Sequence, residues 1–347
     1  MGSSSLPGLA RRAFYFFLPV VSVIVLAGLL SLFATLSDTQ VEAAVFTTEE
    51  NAGAGEQVTA SLGNMLLFVI PAILGGFLIV AVIRMGKRRL LKNFFRGALS
   101  IATGIILAFF LFKLTEALYQ RIWYVLEVTE PIKMELVTIH DLYSGGTLLM
   151  FLITGLLFGY AAGSMVLSRG FTRKERNYAL ITISAFMGAF MAVILPTWTV
   201  IFLLVALAIW DIYAVFKGPI RDMVEMDMQG NLMARFDPLG DDSQDFPFDH
   251  LTYDAGSWQL GIGDLVFYSV LGAHSLYYST IYIADKGLWM LPFFFIPVLL
   301  AILFGFAYTI YRLTRAEGSG ILPGLPIPMF LGVGVFIMMM AIAKWVI

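Results

Sequence analysis

Apolar runs of about twenty residues recur along this 347-residue chain, and a helix of that length crosses a hydrocarbon core roughly 30 Å thick. Nine such runs stand out, at 14–36, 62–83, 97–119, 143–167, 177–195, 197–216, 259–284, 288–311 and 321–346. Lipid offers no partner to a backbone N–H or C=O, so runs this long and continuous fold as helices, which satisfy their own polar groups. The expected fold is therefore all-α and polytopic, with nine transmembrane helices. The hydrophobic share of 59% against 13% charged residues fits one membrane domain over 1–347.

Basic residues set the expected orientation. Arg11 and Arg12, the stretch from Arg84 to Arg96, Arg169 to Arg176, Lys217, Arg221 and Arg235, and Arg312 with Arg315 together hold seventeen of the 22 Lys and Arg. All seventeen fall on one side of the nine-span arrangement, against Arg121, Lys133 and Lys286 on the other. The positive-inside rule then puts the amino terminus in the cytoplasm and the carboxyl terminus outside. The first run, at 23 residues, is longer than a usual signal-peptide core and reads as a retained helix.

Helices 1–5 occupy 14–195, helix 6 spans 197–216, an interior loop covers 217–258 and helices 7–9 fill 259–346. The interior loop is acidic, with a short interfacial helix expected from Ile220 to Met233. Outer loops are expected at 37–61 and 120–142. Gly155, Gly159 and Gly163 recur every four residues, a pattern that permits close helix packing in membranes. With no cysteine and three histidines, thiol and zinc chemistry are disfavoured and no cofactor is expected. The net charge of -2 gives no argument for nucleic acid.

Two acids interrupt the apolar pattern. Asp211 lies six residues before Lys217 and Asp264 six residues after Trp258, which on helical rise places each about 9 Å inside the cytoplasmic boundary. A charge at the centre of a membrane helix costs roughly 2.5 to 3.5 kcal/mol on insertion scales, so intramembrane acids mark function by default. Two carboxyls sharing a site cannot both ionise easily. One then accepts a proton from water while the other donates to a carbonyl, which is the requirement for peptide hydrolysis without a metal. Gly261, Ile262 and Gly263 precede Asp264, and the glycines permit irregular backbone where another chain approaches. Pro323, Gly324 and Leu325, followed by Pro326, form a non-helical stretch at similar depth.

Trp210-Asp211, the string Leu260-Gly261-Ile262-Gly263-Asp264 and Pro323-Gly324-Leu325-Pro326, with the helix count and orientation, resemble the presenilin and signal peptide peptidase family of intramembrane aspartyl proteases, the GxGD type. The resemblance implies that Asp211 and Asp264 are the catalytic pair and that Pro323, Gly324 and Leu325 stand where the family has Pro-Ala-Leu. It also implies substrates that are transmembrane helices of other proteins, unwound locally before cleavage. Trp210 stands where the family usually has tyrosine. No obligate partner subunit is inferred, and compact loops without cysteine suit a prokaryotic, archaeal-type member in the cell membrane.

Without the resemblance, a proton-coupled transporter using the same acids fits about as well. No pair of matching halves favours it. A prepilin-type peptidase also uses a GxGD acid, but its first aspartate comes early in a shorter bundle. No HExxH motif is present, and Ser319 has no histidine partner in view. His274 reads as a packing residue, Tyr268 as a cavity or packing residue, and Lys113 with Glu116 as a pair one turn apart. Residues 255–262 are a candidate extended edge on which an unwound substrate adds as a strand.

Overall fold

The computed structural model describes residues 6–35, 53–85, 88–126, 130–167, 170–218, 251–254, 259–283, 291–315 and 323–346. Nine helices account for nearly all of these. They are α1 (Leu6–Thr35), α2 (Ala54–Arg84), α3 (Arg88–Leu126), α4 (Glu130–Leu167), α5 (Arg173–Ile194), α6 (Thr197–Phe216), α7 (Ile262–Ile283), α8 (Pro292–Arg315) and α9 (Pro326–Val346). Two three-residue strands, β1 (Thr252–Asp254) and β2 (Gln259–Gly261), precede α7 and pair antiparallel, with Tyr253 opposite Leu260. The chain is a multi-pass membrane protein: eight of the helices are long and apolar enough to span a bilayer.

The exception is α7, and its surroundings give the reason. It packs against α1, α5, α6, α8 and α9, and Leu265, Tyr268, Val270, Leu271, Ala273, His274 and Ser275 are fully buried. A helix walled by other helices does not have to match lipid along its whole surface, so it carries polar side chains that a lipid-facing helix would not tolerate. Ser269 donates to the Val266 carbonyl at 2.7 Å and Ser275 to the Gly272 carbonyl at 2.7 Å, so neither hydroxyl is left without a partner. Outward helices show the converse, with Leu74, Leu78, Leu157 and Phe304 all exposed where lipid is the solvent.

Local sequence explains where helices begin. Thr172 and Glu175 form a reciprocal capping box at the start of α5, the Thr172 N–H reaching Glu175 Oε2 at 2.7 Å. Pro196 separates α5 from α6, as a proline disfavours helical backbone in the residue before it. Pro292 and Pro326 take the first positions of α8 and α9, where a missing N–H costs nothing. Val20, Val23, Ile24 and Ala27 of α1 are fully buried within the bundle.

Three expected boundaries are corrected. Residues 120–142, expected as an outer loop, are helical to Leu126 and again from Glu130. Leaving the membrane does not end a helix whose residues favour one, and Pro131 falls in the first turn of α4, where it is tolerated. The seventh span begins as strand β2, so helix starts only at Ile262, and the ninth starts at Pro326 instead of residue 321. The paired strand β1 had no counterpart in the reading of the interior loop. The helix expected from Ile220 to Met233 lies outside the described residues.

The glycine repeat of α4 meets α3 at backbone distance. A Cβ at Gly159 would lie 2.6 Å from the Gly104 nitrogen and 2.8 Å from its Cα, and would collide with the Ser100 carbonyl oxygen. Gly155 faces the Gly104 backbone in the same way, whereas a Cβ at Gly163 would strike the Ser100 hydroxyl. Replacing Gly159 by Leu is expected to force α3 and α4 apart at a cost of about 1–3 kcal/mol, read as a lowered melting temperature in detergent. Gly75→Ala, where nothing lies within 4 Å of the added carbon, should leave the melting temperature in place. Equal melting of the two variants would refute this account of the interface.

Candidate active site

Asp211 lies on α6, about one and a half turns before the helix ends at Phe216. Asp264 stands in the first turn of α7, directly after β2. That is a sharper position than helical counting gave, because the three residues before α7 are extended and rise about 3.3 Å each. Both side chains are partly buried, and their carboxyls interact electrostatically.

The two acids converge on the same short stretch of non-helical chain. The Leu325 N–H donates to Asp211 Oδ2 at 3.1 Å, which sets the Gly324–Leu325 main chain beside that carboxyl. On the other side, a Cβ placed on Gly324 would lie 2.6 Å from Asp264 Oδ2 and 3.1 Å from its Cγ. Asp264 is therefore packed against the Gly324 main chain with no room for a side chain. A Cβ on Gly261 would be 3.6 Å from the same oxygen, an ordinary contact. The carboxyl of Asp264 thus sits between the end of β2 and the start of α9.

Tyr268 fixes this arrangement from below. It lies one helical turn past Asp264, is fully buried, and donates its hydroxyl to the Gly324 carbonyl at 2.8 Å. Its ring meets Phe306 of α8 edge to face at 6.0 Å, and Phe306 in turn meets Phe17 of α1 at 5.7 Å. The sequence offered packing and cavity as alternatives for Tyr268. Its role is to hold the irregular backbone, and the signal was its i+4 spacing from Asp264.

Asp211, Asp264, Gly261, Gly324 and Leu325 are brought together. Ile262 instead packs into the apolar clusters on both sides, and Gly263 is exposed, a Cβ there meeting Phe267 only at 4.0 Å. Pro323 is half-buried and leads into the turn. Trp210, in the position before Asp211, rests against Phe77 of α2 and Tyr213, with ring centroids 6.0 and 5.4 Å away. His274 is buried and bridges elsewhere, its Nδ1 2.7 Å from the Ala192 carbonyl and its Nε2 3.1 Å from Thr197 Oγ1. Lys113 and Glu116 form the expected pair at 3.1 Å. Among the described residues no group of three or more His, Asp or Glu is placed to hold a metal ion.

Chemically, this is a pair of carboxyls beside irregular backbone at the edge of a short sheet, within a helical membrane bundle. Presenilin-B of Dictyostelium discoideum is 28% identical over 185 residues, which is 51% of this chain and 33% of that protein. Presenilin sel-12 of Caenorhabditis elegans is 41% identical over 58 residues, 16% of this chain and 13% of the relative. The matched stretches therefore span a third or less of these curated relatives. A solved structure of a presenilin family intramembrane aspartate protease aligns with 93% of this chain and 99% of its own, with a TM-score of 0.49 and 15% identity. The sequence model of the presenilin family matches residues 9–232, a span that includes Asp211 and ends before Asp264. Because that match covers well over half of the 347 residues, the chain belongs to the presenilin family.

Proposed function

We propose that this protein is an intramembrane aspartyl endopeptidase of the GxGD type that hydrolyses peptide bonds in transmembrane segments of other proteins. The observation that carries the reading is the convergence of Asp211 and Asp264 on the consecutive residues Gly324 and Leu325. Membership of the presenilin family supports it.

In the proposed reaction, the ionised carboxyl of the pair takes a proton from a water held between them. The water oxygen attacks the scissile carbonyl carbon as the protonated carboxyl donates to the carbonyl oxygen. As the tetrahedral intermediate collapses and the C–N bond breaks, the carboxyl that took the water proton passes it to the leaving nitrogen, and the diol hydroxyl returns a proton to the other carboxyl, so a carboxylic acid and an amine leave and the pair is regenerated. The Leu325 N–H orients Asp211, and Tyr268 orients the Gly324 carbonyl so that this backbone does not turn into the site. Substrates are single helices entering from the bilayer of a prokaryotic cell membrane, with no obligate partner subunit.

Cleavage of a purified helical peptide in detergent tests the assignment. Wild-type protein is expected to cut it, and Asp211→Ala or Asp264→Ala to lose at least about 10³-fold in rate, the scale of general acid and base catalysis. An intact peptide with wild type, or equal cutting by the variants, would sink the proposal, and proton-driven flux in liposomes would assign the acids to transport instead.

Tyr268→Phe removes one hydrogen bond to Gly324 and keeps the ring packing. The expected outcome is a roughly tenfold lower cleavage rate, corresponding to about 1–1.5 kcal/mol, with helix content by circular dichroism unchanged. An unchanged rate would show that packing alone holds the stretch.

The substrate backbone is proposed to join the β1–β2 sheet as a further strand at the level of Gln259 to Ile262, exposing a peptide bond that helix hydrogen bonds otherwise hide. Gln259→Pro and Leu260→Pro each remove a strand donor. Cleavage of a helical substrate should fall sharply in both. Undiminished cleavage would rule out strand addition here.

A further inference from the structure

Away from the acids, the interface of α3 and α4 holds a cavity of about 370 Å³. Its polar wall is built from successive turns of α3, with Asn93, Arg96, Gly97 and Ser100 on one face. Ile101, Leu156 and Tyr160 complete it, and all three are exposed to the surroundings of the bundle. The two halves differ in chemistry: polar and cationic groups toward the start of α3, apolar surface deeper along both helices.

Two polar atoms in this wall have no partner. Arg96 Nε and Ser100 Oγ are both buried without a hydrogen bond, and Ser100 as a whole is only 6% exposed. A buried donor left unsatisfied costs about 1–3 kcal/mol, so the Arg96 guanidinium, which lines the cavity with its Nε unpaired, favours an acceptor-rich ligand there. Lys92 lies one turn before Arg96 on the same helix, and the basic stretch Arg84 to Arg96 is the part of the chain that the positive-inside rule puts at the cytoplasmic boundary. Gly97 matters as well, since a Cβ there would meet nothing within 4 Å. The space beside it is open, in contrast to Gly104, whose Cβ would strike the backbone of α4 at 2.8 Å.

We infer that this cavity binds the phosphate of a phospholipid headgroup from the cytoplasmic leaflet. The Arg96 guanidinium donates to the phosphate oxygens, Lys92 adds positive charge at the mouth, and one acyl chain lies along Ile101 and Leu156. A free phosphate ion would use the polar half but would have no use for the apolar wall, which is why a lipid is the better fit. Basic pockets between membrane helices at this depth are a recurrent way to hold anionic lipids. The site is independent of the acid pair.

Native mass spectrometry of the full-length protein in detergent tests this, with phosphatidylglycerol, dioleoylglycerol and inorganic phosphate as probes. A one-to-one phosphatidylglycerol adduct is expected, with none for dioleoylglycerol, which lacks the phosphate. Arg96→Gln should weaken the adduct about tenfold, the scale of one charged hydrogen bond. Gly97→Leu fills the open space and should abolish the adduct while melting temperature and helix content stay as in wild type. Equal phosphatidylglycerol binding by all three proteins, or equal binding of dioleoylglycerol, would overturn the site. Displacement of the lipid by inorganic phosphate would overturn it too, by assigning the cavity to a free anion.

Discussion

Irregular backbone inside a membrane must be satisfied by protein, because lipid cannot do it. At residues 323–325 that requirement is met by two groups of the candidate site: Asp211 accepts from Leu325, and Tyr268 donates to the Gly324 carbonyl. The same hydrogen bonds that make a non-helical turn tolerable here therefore position a carboxyl. An acid and a break in a helix would each be costly alone; together they offset one another's unpaired groups.

That coupling explains why α7 lies at the centre. Its first turn carries Asp264 and its second carries Tyr268, so one face of a single helix supplies both an acid and the support for the stretch opposite. Such a face is stable only if walled by protein, and α1, α5, α6, α8 and α9 supply the wall. Gly188 of α5 allows it by letting the Ser269 side chain come against its backbone, and Gly272 of α7 does the same for Ile24 of α1. Aromatic packing of Phe294 and Phe336 closes the far end, with ring centroids 5.9 Å apart.

Much of this was legible in the sequence, for identifiable reasons. Helix number follows from apolar run length, because the bilayer imposes it. The non-helical character of Pro323-Gly324-Leu325 follows from what proline and glycine do to a backbone, and the pairing of Asp211 with Asp264 from the cost of each alone. What was not legible depends on partners distant in sequence. The strand Thr252–Asp254 exists through its ladder with Gln259–Gly261, and no apolar alternation announces a three-residue strand. The continuation of α3 to Leu126 was hidden because hydropathy reports where lipid ends, whereas helices end at caps. Tyr268 could be placed on the right face by spacing, but its acceptor lies 56 residues away.

Gly324 shows how finely the site is set. Where the family has alanine this chain has glycine, and a Cβ at that position would stand 2.6 Å from Asp264 Oδ2 and 3.3 Å from Oδ1. A contact that short is relieved only by movement of the carboxyl or of the turn. The turn is held at both ends, by Leu325 on Asp211 and by Tyr268 on the Gly324 carbonyl, so the softer element is the Asp264 side chain, which turns about two bonds. The residue at 324 therefore acts as a spacer for the pair: glycine lets Asp264 rest against the main chain that orients Asp211, and a methyl there would set the second acid further from it.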